Sequence, residues 1–183
     1  MNCDLKGKLD IVELSKEDAP PNFVDSYETS GYYDVSVSHG RSMWKAELAL
    51  RAFEKPIEKR YEAKFFAAYV EEPRLFAAFL DDEQIGWIEL GYDSWNNRMR
   101  VWEFFVKQGF RRKGIGTLLM EYAVKIAKEK GARMLILETQ TCNVPAVNFY
   151  QKYGFELVGF DLAAYSNEDI SKKEVRLELG LKL

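Results

Sequence analysis

The chain has 183 residues, of which 47% are hydrophobic and 14% aromatic, enough for one packed core and too apolar for a disordered segment. Its formal net charge of −3 argues against a broad phosphate-binding surface, so nucleic acid is a poor partner and a cationic small molecule a better one. Two cysteines, Cys3 and Cys142, and one histidine, His39, make neither a disulfide framework nor a zinc-type ligand set, and no metal is expected.

No apolar run approaches the roughly 20 residues of a bilayer span, and the first residues lack the long apolar stretch of a secretory leader. A soluble, cytoplasmic protein without membrane contact is the expectation. Before residue 74 the pattern is mixed. Trp44, Ala46, Leu48 and Leu50 alternate with Lys45, Glu47, Ala49 and Arg51 as in a strand, whereas Ile57, Tyr61 and Phe65 stand at helical spacing. From there on, punctuation is clear. Arg74–Leu80 and Gln84–Leu90 read as two strands of a hairpin around Asp81-Asp82-Glu83, and Met99–Val106 as a third strand after a turn at 93–97.

Leu118, Leu119, Tyr122, Ala123, Ile126 and Ala127 recur at three- and four-residue steps, which predicts an amphipathic helix over Thr117–Lys130 that ends at Gly131. Met134–Thr139 follows as a buried strand. A shorter helix is predicted from about Pro145 to a stop at Gly154, then a strand over Phe155–Phe160. Val175, Leu177, Leu179, Leu181 and Leu183 alternate with polar residues or glycine as in a half-buried strand. The fold class is therefore mixed α/β, with an antiparallel front and one βαβ crossover.

Between the third strand and the long helix lies Val106-Lys107-Gln108-Gly109-Phe110-Arg111-Arg112-Lys113-Gly114-Ile115-Gly116-Thr117. Glycines at a helix start let successive N–H groups converge on one anion, and Arg111, Arg112 and Lys113 add positive charge. By geometry alone this is equally a phosphate cradle or a tight turn. Leu119 occupies the place of the last glycine of a G-x-G-x-x-G fingerprint and no G-x-x-x-x-G-K-[ST] occurs, so dinucleotide and P-loop readings are weak.

The strand Glu103-Phe104-Phe105-Val106 followed by Arg111-x-x-Gly114-x-Gly116 resembles the acetyl-CoA motif of GNAT acetyltransferases, [QR]-x-x-G-x-[GA] after a strand ending in valine. Asn143-x-x-Ala146-x-x-Phe149-Tyr150-x-x-x-Gly154-Phe155 resembles that family's second signature, at the expected distance. Together they cover roughly residues 99 to 160; Gly109, where many members carry an acidic or polar residue, is a departure. Leu137-Glu138-Thr139-Gln140 before Asn143, Trp95-Asn96 before the third strand, and Tyr165 are similar to streptothricin acetyltransferases in particular, although Leu-Glu, a short loop and Asn also occur in protein N-terminal acetyltransferases.

The resemblance implies one GNAT domain over 1–183, with 74–183 as the coenzyme-binding core and 1–73 on the acceptor side. It implies a strand pair that splays, often with a bulge in the first strand, to admit acetyl-CoA. Arg111, Arg112, Lys113, Gly114, Ile115, Gly116 and Thr117 would hold the diphosphate, the backbone of Phe105 and Val106 the pantetheine, and Asn143 and Ala146 the coenzyme arm, with the Val106 N–H as oxyanion donor.

Tyr150 matches the tyrosine near the coenzyme sulfur and would be the general acid; on periodicity alone it is a core residue. Glu103 and Glu138 are each a carboxylate inside an apolar strand, where burial would raise the pKa toward neutrality, so either is a candidate base or an anchor for the acceptor ammonium. Glu89 on the preceding strand is a more distant third. Trp95 and Tyr165 are candidate acceptor-pocket residues. Cys142 has no neighbouring base in sequence and reads as a small loop residue.

The expected function is transfer of acetyl to a primary amine of a small cationic acceptor such as a streptothricin-like antibiotic. Acetylation of a protein N-terminus or lysine, and a catalytically silent coenzyme-binding module, are the alternatives. A homodimer is the self-association considered.

Overall fold

The computed structural model describes residues 8–183; Cys3 lies outside the described residues. In chain order the elements are β1 (Leu9–Leu14), β2 (Phe23–His39), β3 (Trp44–Ala63), β4 (Arg74–Leu80), β5 (Glu83–Asp93), β6 (Arg98–Val106), α1 (Ile115–Glu129), β7 (Met134–Gln140), α2 (Val144–Tyr153), β8 (Glu156–Asp161), α3 (Asp169–Lys172) and β9 (Arg176–Lys182). They form two compact units. The first comprises the chain up to Phe23, Glu62–Leu137 and Leu181–Leu183, and the second comprises Val24–Tyr61 and Glu138–Gly180.

In the first unit the strand order is β1-β4-β5-β6-β7. The first four strands are antiparallel neighbours, while β6 and β7 run parallel over Arg98–Val101 and Met134–Leu137, and β6 continues to Val106. The β4–β5 hairpin closes where the acidic turn stands in the sequence, with Asp81 at φ +53°. α1 supplies the crossover from β6 to β7 and buries Leu119, Met120, Ala123, Ile126 and Ala127, the stripe its periodicity draws. A Cβ at Gly86 of β5 would come within 3.1 Å of the Leu119 side chain, which marks the α1-facing side of the sheet.

The opposite sheet face carries a ring cluster. Phe23 lies 5.2 Å from Phe105, 5.5 Å from Trp87 and 6.1 Å from Phe65. The helical spacing of Ile57, Tyr61 and Phe65 is misleading: Ile57 and Tyr61 belong to strand β3, which runs to Ala63, and Phe65 follows its end. A four-residue step is a multiple of two as well as one helical turn, so it puts side chains on one face of a strand equally well.

In the second unit β2 and β3 form a two-stranded sheet, closed at its tip by the Gly40 N–H donating to the Met43 carbonyl at 2.8 Å. β8 and β9 pair antiparallel from Glu156↔Gly180 to Asp161↔Arg176. α2 stops at Gly154, whose φ of +112° no side-chain-bearing residue adopts cheaply, as its sequence position predicts. Among the described residues no helix is long and apolar enough to cross a membrane, and no group of three or more His, Cys, Asp or Glu is placed to hold a metal ion.

Candidate active site

The segment after β6 is a compact turn. Gln108–Phe110 make one 3₁₀ turn, and the Arg111 side chain folds back so that its Nε donates to the Val106 carbonyl at 2.9 Å. Arg111 thus closes the turn on its own strand, while Arg112 and Lys113 are exposed. Arg112 at φ +61° and Gly114 at φ +89° are both left-handed, and this pair of reversals aims the chain into α1.

The first bond of the helical ladder runs from the Leu118 N–H to the Gly114 carbonyl at 3.0 Å, so the amides of Ile115, Gly116 and Thr117 precede it. A Cβ at Gly114 would meet nothing within 4 Å. Backbone conformation, not crowding by the protein, requires glycine there, and the space in front of the helix start is open. Amides ahead of the ladder, the positive end of a fifteen-residue helix and two exposed cations suit a diphosphate, so the residues present fit the coenzyme their motif implies.

Within the same unit, Glu103 and Glu89 are cross-strand partners on β6 and β5, next to a bulge at Trp102. Glu103 is half-buried and its Oε1 accepts from the Lys64 N–H at 3.3 Å. Glu89 is fully buried, its Oε1 accepts from the Phe66 N–H at 2.5 Å, and burial pushes its carboxyl above the ordinary 4.5. The strand carboxylate that burial reaches is therefore Glu89, ranked behind the other two by sequence. The sequence signal was present, since Glu89 is the one charged residue of the apolar run Gln84–Leu90. Trp95 sits in the 3₁₀ turn before β6 and is 82% exposed. The length of β6, roughly 27 Å at about 3.4 Å per residue, separates it from Val106.

In the second unit Glu138 joins a small polar cluster. Its Oε2 lies 2.9 Å from Arg176 Nε and its Oε1 accepts from the Tyr165 hydroxyl at 3.3 Å, so two candidate residues, Glu138 and Tyr165, come together. Arg176 also donates to Glu178 at 2.6 Å. A carboxylate engaged by a guanidinium is better arranged to hold charge than to accept a proton.

Tyr150 is buried on α2, and burial raises its phenol well above the usual range, so it presents O–H at neutral pH. Asn143 caps α2, its Oδ1 accepting from the Ala146 N–H at 3.2 Å, which leaves its amide nitrogen as the group it can offer a ligand. Cys142 is buried, its sulfur 3.5 Å from the Tyr27 hydroxyl, and burial pushes the thiol up, the opposite of an activated nucleophile.

Residues 42–155 match the acetyltransferase (GNAT) family. The chain belongs to that family. It is 38% identical over 95 residues to a streptothricin acetyltransferase of Streptomyces lavendulae, a stretch that covers 51% of this chain and 50% of that protein. Against streptothricin acetyltransferase A of Bacillus subtilis strain 168 it is 36% identical over 118 residues, 63% of this chain and 68% of that one. The match thus spans half to two thirds of these relatives' length. Among solved structures, a Bacillus anthracis str. Ames protein assigned as a streptothricin acetyltransferase, crystallised with acetyl coenzyme A, superposes with a TM-score of 0.75 at 28% identity over 96% of this chain and 98% of that chain. The GNAT fold expected from sequence is the fold observed, with its mixed sheet and its parallel β6/β7 pair.

Proposed function

We propose that this GNAT member is an acetyl-CoA-dependent N-acetyltransferase acting on a primary amine of a small cationic acceptor of the streptothricin class. The observation that carries the reading is the open turn before α1, where left-handed Arg112 and Gly114 set up the amides of residues 115–117 with exposed Arg112 and Lys113 beside them. Similarity to two streptothricin acetyltransferases and to a structure solved with acetyl coenzyme A supports the choice of coenzyme and acceptor class. Acetyl-CoA supplies an activated acetyl thioester.

The chain's residues then divide the remaining work. Arg112, Lys113 and the amides from Gly114 to Thr117 bind the diphosphate, with Arg111 shaping the turn; Phe105 and Val106 offer backbone to the pantetheine, and Asn143 and Ala146 serve the coenzyme arm. The Val106 N–H faces developing negative charge on the carbonyl oxygen. Glu103 takes the proton that the acceptor ammonium must lose, and Tyr150, kept protonated by burial, gives one to the departing thiolate. Glu138, paired with Arg176 and Tyr165, has the binding role.

The test is incubation with acetyl-CoA and a panel of streptothricin, aminoglycosides, polyamines and N-terminal peptides, following free thiol release. Turnover confined to one class of small amine is expected. Coenzyme binding without turnover on any acceptor would remove the catalytic reading, and turnover on peptides alone would move the acceptor to proteins.

A further inference from the structure

Residues 64–72 cross the sheet face opposite α1. This segment is fixed to the strands beneath it at three places: the Lys64 N–H on Glu103 of β6, the Phe66 N–H on Glu89 of β5, and Glu71, whose carbonyl accepts from the Tyr92 N–H at 3.0 Å and whose Oε2 accepts from the Ser94 N–H at 3.0 Å. The middle anchor is the least expected. Glu89 is 0% exposed and its Oε2 has no hydrogen-bond partner, while Phe66 sits at φ +53°, a conformation bulky residues avoid. A leucine would fill the same space without desolvating a carboxyl group. The carboxyl is therefore explained by what it holds.

The adjacent geometry says what that is. Glu89 and Glu103 are direct cross-strand partners at the bulge, so one end of the strap and its turn rest on two carboxylates side by side. Moving Phe66 moves Lys64, two residues earlier, and with it the amide that fixes the Glu103 carboxylate. We propose that Glu89 is a positioning residue for the acceptor end of the reaction: through the Phe66 N–H it holds the strap across the sheet and thereby sets the orientation of Glu103. This rests on the assignment of Glu103 as the group that takes the acceptor's proton.

Steady-state kinetics of Glu89→Leu, Glu89→Gln, Glu103→Gln and the Glu89→Leu/Glu103→Gln double variant, with acetyl-CoA affinity measured separately, tests it. Glu89→Leu should lower kcat/KM for the acceptor by about 10-fold or more and leave acetyl-CoA affinity within about twofold. Glu89→Gln keeps a carbonyl oxygen for the Phe66 N–H and should recover most of the loss, and the double variant should be no slower than Glu103→Gln alone.

A Glu89→Leu enzyme equal to wild type beside a defective Glu103→Gln removes the role of Glu89 alone. An unimpaired Glu103→Gln removes the base assignment itself and the proposal that rests on it. Should Glu89→Leu not fold, hydrogen exchange decides: the Phe66 amide must be protected in wild type and Glu89→Gln, and exchange at the rate of an open loop in wild type would overturn the proposal.

Discussion

Tyr150 is the residue whose environment bears most directly on its chemistry. Burial penalises the phenolate, so across the neutral range the side chain keeps its proton and can only donate it. A core tyrosine would be buried too, and the two roles separate on substitution. Tyr150→Phe removes the hydroxyl and little volume, so a purely packed residue would cost modest stability and no rate. As the acid, it should lower kcat by about 10²-fold with a smaller change in KM for acetyl-CoA, read by steady-state kinetics alongside a melting curve. Glu138 shows the converse. Its strand position made it look like a base, but Arg176 and Tyr165, which come from elsewhere in the sequence, take up both its oxygens.

At the scale of elements, the β1–β4 pair gives a prediction with a sign. Glu13 and Arg74 make two 2.7 Å hydrogen bonds, which hold the Glu13 carboxyl below its ordinary 4.5. A carboxylate lowered on folding contributes stability that is present above 4.5 and lost as pH falls through its folded value. Glu13→Gln should therefore melt lower than wild type at neutral pH, by no more than about 2 °C because the pair is half exposed, and the gap should close below pH 4.5.

The same scale explains what could be read without coordinates. From Arg74 onward each element carries its own punctuation: Asp81 at the hairpin, Gly131 after α1, Pro145 and Gly154 around α2. The expected bounds of β4 to β9, α1 and α2 agree with the structure to within a few residues, whereas the one-turn α3 was not expected. Before residue 74, β2 and β3 are long strands of a two-stranded sheet with much of their surface exposed; the alternation over Trp44–Arg51 marked the start of β3 correctly, but farther along Ile57 and Tyr61 imitate a helix. The turn before α1 was legible because a glycine turn is local. The hold of Glu89 and Glu103 on the strap was not, since it joins positions 23 and 39 residues apart through backbone amides, which every residue but proline possesses.

For the whole molecule, the net charge of −3 opposes a polyanionic coenzyme, so the proposed binding at the start of α1 requires local donors there to outweigh the overall field. That makes the cradle testable through global stability. A ligand that binds only the folded state at about 100 times its Kd adds about 2.7 kcal/mol, which for a chain of this size raises Tm by roughly 5 to 10 °C. Gly114→Glu should cancel that rise. Its own left-handed strain lowers the ligand-free Tm by only a few degrees, because a side chain there meets open space, while a carboxylate in that space repels the diphosphate. Thermal melts of both proteins with and without acetyl-CoA separate the two effects. An undiminished shift in Gly114→Glu would mean that the coenzyme is held somewhere other than the start of α1.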